Sequence, residues 1–271
     1  MNIFRLPIRC AACCIITLFF ARPAFPLQVA TEEMIKTSIT STQADWKEWA
    51  HFSYDERDID EKDGVRTSKT YKVCMIDGSP YSRLFRVEGK PLSPEEQAQE
   101  GEKLREAIAK RANESPEERA HRVAAYQKDN DRMFALLSEM AEAFDFKEVG
   151  QEQMNGHEVY VLEATPRPGY EPKSRETKLL TGMTGKLWID KDTHKWVRVE
   201  AVAIKPVWMG WFIAKVLPGT SFSLDQSPAM NSLWLPEHFS VDIKAKILWW
   251  QKSYAHSETY SDYHLISATS P

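Results

Sequence analysis

The residue types that carry chemistry are scattered along this chain. Its seven histidines (51, 121, 157, 194, 238, 256 and 264) stand apart from one another. His194 falls in an Asp192-Thr193-His194 turn, where a solvated ring is expected. His256 and His264 are eight apart on an expected strand, a spacing with no metal meaning. Asp190 and Asp192 have the spacing of a carboxylate pair for acid–base work, yet an Asp-rich turn more often uses such residues to make the turn. Cys74 is expected to pack as a small apolar side chain. Asn113-Glu114-Ser115 is a formal glycosylation sequon. Beyond the N-terminal segment there is no G-x-S-x-G, H-E-x-x-H, P-loop, C-x-x-C or G-x-G-x-x-G. The expectation is a protein that is not an enzyme, with no metal and no cofactor.

The N-terminus reads as a secretory signal peptide over residues 1–24, with cleavage as late as Ala30. Arg5 and Arg9 precede the apolar run Cys10–Phe20, which is too short to span a bilayer as a helix. Cys10, Cys13 and Cys14 lie inside this segment, so Cys74 is the one cysteine of the exported chain. No internal disulfide can form, and the fold must rest on its core. Without Arg5, Arg9 and Arg22 the chain has 32 basic against 39 acidic residues. That balance excludes nucleic acid as a partner class, because such binding needs clustered positive charge. The expected location is the periplasm or another exported compartment.

Which elements would hold a binding surface? A short helix is expected over Thr31–Thr42, followed by alternating segments from Trp46 onward. Ser68–Gly78 and Pro80–Gly89 read as strands joined at Asp77-Gly78. Ser93-Pro94-Glu95-Glu96 and Ser115-Pro116-Glu117-Glu118 each read as a capping box with proline at the first helical position. They open two helices in a helical insertion at about residues 94–144, the second with an apolar seam through Val123, Tyr126, Met133, Leu137, Met140 and Phe144. Gly185–Ala203 is the clearest hairpin. Period two puts Leu187, Ile189, Val197 and Val199 on one face, with Lys186, Trp188, Trp196 and Arg198 on the other. The same alternation puts Phe239, Val241 and Ile243 on one face. The fold class is α+β: an incomplete antiparallel β-barrel of about 9–11 strands wrapped around helices, in a single domain over residues 31–271.

The stretch KPVWMGWFIAKVLPGTSFSLDQ (Lys205–Gln226) is unusually greasy at its start. Its apolar run is too short for a transmembrane helix, and Leu217-Pro218-Gly219 signals a turn. It is expected to be a hairpin whose first strand is apolar on both faces. One reading is a central strand buried between sheet core and helix. The other makes its aromatic residues part of a concave pocket for an acyl chain. Each sheltered methylene contributes about 0.8 kcal/mol, so a few apolar walls suffice to hold a lipid.

The pieces GKLWIDKDTHKWVRVEA (Gly185–Ala201), WLPEHFSVDI (Trp234–Ile243) and SETYSDYHL (Ser257–Leu265), with a leading helix and inserted helices, resemble the LolA-like superfamily. This is the group of outer-membrane lipoprotein-sorting proteins and RseB/MucB-type sensor domains. IAKVLPGTSFSLDQ (Ile213–Gln226) is similar to secreted bacterial proteins of that type with no assigned function. The resemblance implies an apolar cavity between sheet and helices that shields acyl chains of lipids or lipoproteins in transit. The expected lining is Leu187, Ile189, Val197, Val199, Trp208, Trp211, Phe212, Val241 and Ile243. The alternative implied role is an envelope sensor or adaptor that binds a membrane protein.

Overall fold

The computed structural model describes residues 25–209 and 214–266. The segment read as a signal peptide lies outside them. Helix α1 (Phe25–Glu48) is longer than the expected Thr31–Thr42 and takes in Trp46. The reason is visible in its spacing: Ile35, Ile39, Thr42 and Trp46 recur at helical intervals and are all buried. A short 3-10 turn, Trp49–His51, leads into strand β1 (Phe52–Lys62).

Strands β2 (Val65–Ile76), β3 (Ser79–Val87) and β4 (Lys90–Pro91) follow as a meander, and then helices α2 (Pro94–Ala112) and α3 (Pro116–Ala143). Both helices open on the expected capping boxes, with Ser93 and Ser115 accepting from Glu96 and Glu118 backbone N–H groups at 3.2 Å. Arg111 anchors the pair to the sheet by donating to the carbonyls of Ile76 and Ser79 at 2.8 and 2.9 Å. Then come β5 (Phe144–Met154), β6 (His157–Pro166), β7 (Met183–Asp190), β8 (Trp196–Ala203), β9 (Val207–Met209), β10 (Ala214–Val216), β11 (Ser221–Pro228), β12 (Trp234–Ile247) and β13 (Trp250–Leu265).

Among the described residues all thirteen strands join one sheet in the order β4-β3-β2-β1-β13-β12-β11-β8-β7-β6-β5, with β10 on β12 and β9 on β10. Every pairing is antiparallel. The two ends do not meet, so the sheet is an incomplete barrel, and the class is α+β. Helices α1 and α3 pack on one face of it. Ile35, Ile39 and Trp46 of α1 and Leu137 of α3 meet Leu162, Leu187, Ile189, Trp196, Val199 and Leu224 from the strands. Three polar contacts fix α1 in this groove: Trp196 Nε1 donates to Ser38 Oγ at 3.0 Å, Trp46 Nε1 donates to Gln226 Oε1 at 2.7 Å, and Lys195 pairs with Asp45 at 2.7 Å.

Two expectations are corrected. The β7–β8 register shifts between Trp188 and Ile189, so that Trp188 faces Arg198 but Ile189 faces Trp196. The extra residue of this β-bulge is Val197, which exchanges faces with its neighbour. Trp196 joins the core under α1, and Val197 packs on the other side with Val159, Val161, Trp188 and Trp234. The greasy stretch is also not one long strand. It is split into β9 and β10, which pair with each other, and β10 borders the end of β12. Val207 is buried there, whereas Trp208 is 42% exposed beneath the Lys215 ammonium.

Candidate functional site

Alternation along the strands builds the inner face, and α3 roofs part of it. Between them lies a cavity of about 520 Å³, within the roughly 300–1,000 Å³ of small-molecule sites. Met133, Leu136, Leu137 and Met140 enter from α3, a helical stripe that the sequence seam foreshadows. Phe144 and Phe146 come from β5, Leu187 and Val199 from the β7–β8 hairpin, Phe222 and Leu224 from β11, and Phe239, Val241 and Ile243 from β12. Trp46 and Trp49 close the α1 side.

Of the expected lining residues, Leu187, Val199, Val241 and Ile243 are brought together on this wall. Ile189 is fully buried in the core beside it. Val197 is on the opposite face and Trp208 is at the surface. Trp211 and Phe212 fall outside the described residues. The α3 stripe, Phe222 and Trp196 are wall residues that the sequence-based list lacks; the α3 seam alone carried a signal for them.

On the next strand the inner face changes character. Tyr54, Glu56, Asp58 and Asp60 of β1 stand opposite Tyr260, Glu258 and His256 of β13, register by register from Glu56. Glu258 in turn faces Phe239 and His256 faces Val241 on β12. Glu258 and Tyr260 therefore belong to the cavity wall as well as to the acidic row. Burial, reinforced by Asp58 and Glu258, pushes the Glu56 carboxyl up to about 7. Burial and Glu258 push Asp58 up to about 6. His256 contacts Asp60 through Nδ1 and Glu258 through Nε2, both at 2.8 Å. Burial alone would lower its pKa, but these two carboxylates together raise it. Hydrogen bonds from Tyr254 and then His256 hold Asp60 below the usual carboxylate range. The sequence signal for this row is the period-two series Tyr54, Glu56, Asp58, Asp60, legible only once β1 and β13 are known to pair.

Asp190 is 3% exposed and caps its own turn, accepting from Thr193 N and Oγ1 at 2.7 and 2.6 Å. Its carboxyl is held low by those Thr193 hydrogen bonds and by His157, against the burial that would raise it. Among the described residues no group of three His, Cys, Asp or Glu side chains is placed to hold a metal. A hollow on the outer face of β7, β8 and β11 is lined by Lys186, Trp188, Arg198 and Glu200. Arg198 is bonded there to Glu200 at 2.8 Å.

No protein-family model matches the chain, and no curated protein matches it. Solved structures do. A DUF1329-family protein from Desulfovibrio piger is 11% identical, with 90% of this chain and 95% of that one covered, at a TM-score of 0.36. An outer-membrane lipoprotein-sorting protein domain from Vibrio parahaemolyticus, so described provisionally, is 10% identical over 87% and 95% of the two chains, at 0.35. A LolA superfamily protein from Nitrosomonas europaea is 9% identical over 84% and 94%, at 0.31. Scores this low describe a loose likeness in the course of the chain and say nothing of what it binds.

Proposed function

We propose that the chain is an exported, non-catalytic carrier that shelters the acyl chain of a lipid or lipoprotein in the cavity between α3 and the sheet. The observation that carries this reading is the cavity wall itself, in which aromatic and aliphatic side chains from α1, α3 and eight strands converge on about 520 Å³. An acyl chain of about twelve methylenes would gain on the order of 10 kcal/mol there before ordering costs. The signal-like N-terminus and the resemblance given above fit a periplasmic location, and residues 31–271 would act as one half-barrel domain.

Titration with a fluorescent fatty acid tests the reading. Saturable binding is expected, and Val241→Trp, which fills the cavity from β12 without burying a charge, should weaken it at least tenfold. Unchanged circular dichroism and urea midpoint would show that the variant folds. No uptake by the wild-type protein, together with recovery of one stoichiometric envelope protein, would replace this reading by that of a sensor or adaptor.

A further inference from the structure

The β12–β13 hairpin ends in a tip unlike the other two-residue turns among the described residues. Asp63-Gly64, Asp77-Gly78, Glu88-Gly89 and Asn155-Gly156 each place a glycine at a positive φ, the chemistry such two-residue turns favour. The β12–β13 turn is Leu248-Trp249, and Leu248 takes φ 55° with no glycine or asparagine to ease it. Its flanking pair is Ile247 and Trp250. All four side chains project into solvent: Ile247 is 45% exposed, Leu248 55%, Trp249 73% and Trp250 62%. Trp208, on β9 beyond β10 and in register with Lys215 and Lys246, adds a third exposed indole.

On β10, β12 and β13 the charges nearest this tip are of one sign, and the closest carboxylates across the sheet are on β1, where Glu61 faces Ala255 and Asp60 faces His256. Lys215 on β10 stands directly opposite Lys246 on β12, and Ala245 beside it faces Lys252 on β13. Like charges opposed across strands repel, and an anionic surface would relieve that repulsion; Lys215 also lies over the Trp208 ring at 4.8 Å. From Ile243 to Ser257, and from Ile204 to Leu224, the chain has five lysines (205, 215, 244, 246 and 252) and no carboxylate, in a protein of net charge −4. Protein–protein interfaces are depleted in lysine. Tryptophan at the membrane–water boundary with lysines reaching anionic headgroups is the pattern of bilayer contact.

We propose that the Ile247–Trp250 tip, with Trp208, is a docking surface for an anionic phospholipid bilayer. Trp249, Trp250 and Leu248 enter the headgroup boundary, and Lys215, Lys246 and Lys252 lie over the lipid phosphates. Ile243, on the cavity wall, is four residues up β12 from Ile247, about 14 Å along the strand. Docking would therefore set one end of the cavity close to the membrane. The inference stands on the tip alone and does not require that the cavity holds an acyl chain.

The test uses the protein expressed from its full chain and vesicles of phosphatidylcholine, with and without phosphatidylglycerol, carrying brominated acyl chains that quench nearby indoles. The N-terminal segment contains no tryptophan, so quenching reads the folded part even if that segment binds lipid. Wild-type fluorescence should be quenched by the anionic vesicles, with affinity falling as salt rises. Trp249→Ser/Trp250→Ser should lower affinity at least tenfold, and Lys246→Glu/Lys252→Glu by about fivefold or more per charge. Fatty-acid binding by these variants should match wild type, separating failure of the tip from failure of the cavity. Absence of quenching, equal quenching of wild type and the tryptophan variant, or indifference to phosphatidylglycerol would overturn the proposal. So would a tip-dependent dimer in sedimentation, which would make the patch a contact between copies of this chain.

Discussion

The inner face of the sheet has two halves that meet between β12 and β13. On one side, β5 to β8, β11 and β12 offer Phe146, Leu187, Val199, Phe222 and Val241 to the cavity under α3. On the other, β1 and β13 offer Glu56, Asp58, Asp60, His256 and Glu258, with tyrosines packed among them. Backbone geometry is common to both, since each is an antiparallel strand with period two. The difference lies in what alternates. An apolar row leaves a space that water gains little by filling. An acidic row fills its own space with hydrogen bonds among Asp60, Tyr254, His256, Glu258 and Tyr260. One half lines the cavity, and the other is a wall that sets its polarity at one end.

Breaking the apolar half should have the largest effect on the fold. Trp196→Ala removes a side chain that is 1% exposed and holds α1 through Ser38, and should cost about 3–5 kcal/mol in urea denaturation. A loss below about 1 kcal/mol would mean that α1 is not seated as described.

The acidic half should announce itself through pH. Glu56 and Asp58 have folded pKa values raised to about 7 and about 6, so the folded state holds their protons more tightly than the unfolded one. Their contribution is complete below the unfolded carboxylate range near about pH 4 and is lost as pH rises through 6 to 7. His256, also raised, adds a loss of the same sign, and the lowered Asp60 acts only on the acid side of this window. Stability should fall from pH 5 to pH 8 by on the order of 2 kcal/mol after solvent screening. A profile that rises over that interval would contradict the assignment.

A smaller change sharpens the same contrast. Glu56→Gln keeps the shape but removes the charge that burial opposes, and should flatten the upper part of the pH profile and stabilise the protein at pH 8 by about 1 kcal/mol. If Glu56→Gln leaves the profile unchanged, the row titrates through other groups.

Much of this was legible in the sequence. The capping boxes at Ser93 and Ser115, the Asp77-Gly78 turn and the alternation of Phe239, Val241 and Ile243 are local signals, and local physics decides them. Three things were not legible. The bulge that turns Val197 outward and Trp196 inward depends on a register shift against β7, which no period within β8 reveals. The anchorage of Trp46, whose indole donates to Gln226, joins residues 180 apart in the chain. The acidic row is a property of the β1–β13 pairing, between segments some two hundred residues apart. The wall residues that sequence reasoning found lie where alternation is locally unbroken: Val241 and Ile243 on β12, and the Leu187–Val199 pair on the near side of the β7–β8 bulge.

The central claim is that the space under α3 holds an acyl chain. Its most direct test is native mass spectrometry of the protein purified from the cell envelope without detergent, followed by organic extraction. The account predicts a bound species of defined mass that leaves as a lipid or an acylated peptide and is absent from Val241→Trp. A stable, ligand-free wild-type protein that also takes up no fatty acid would contradict it.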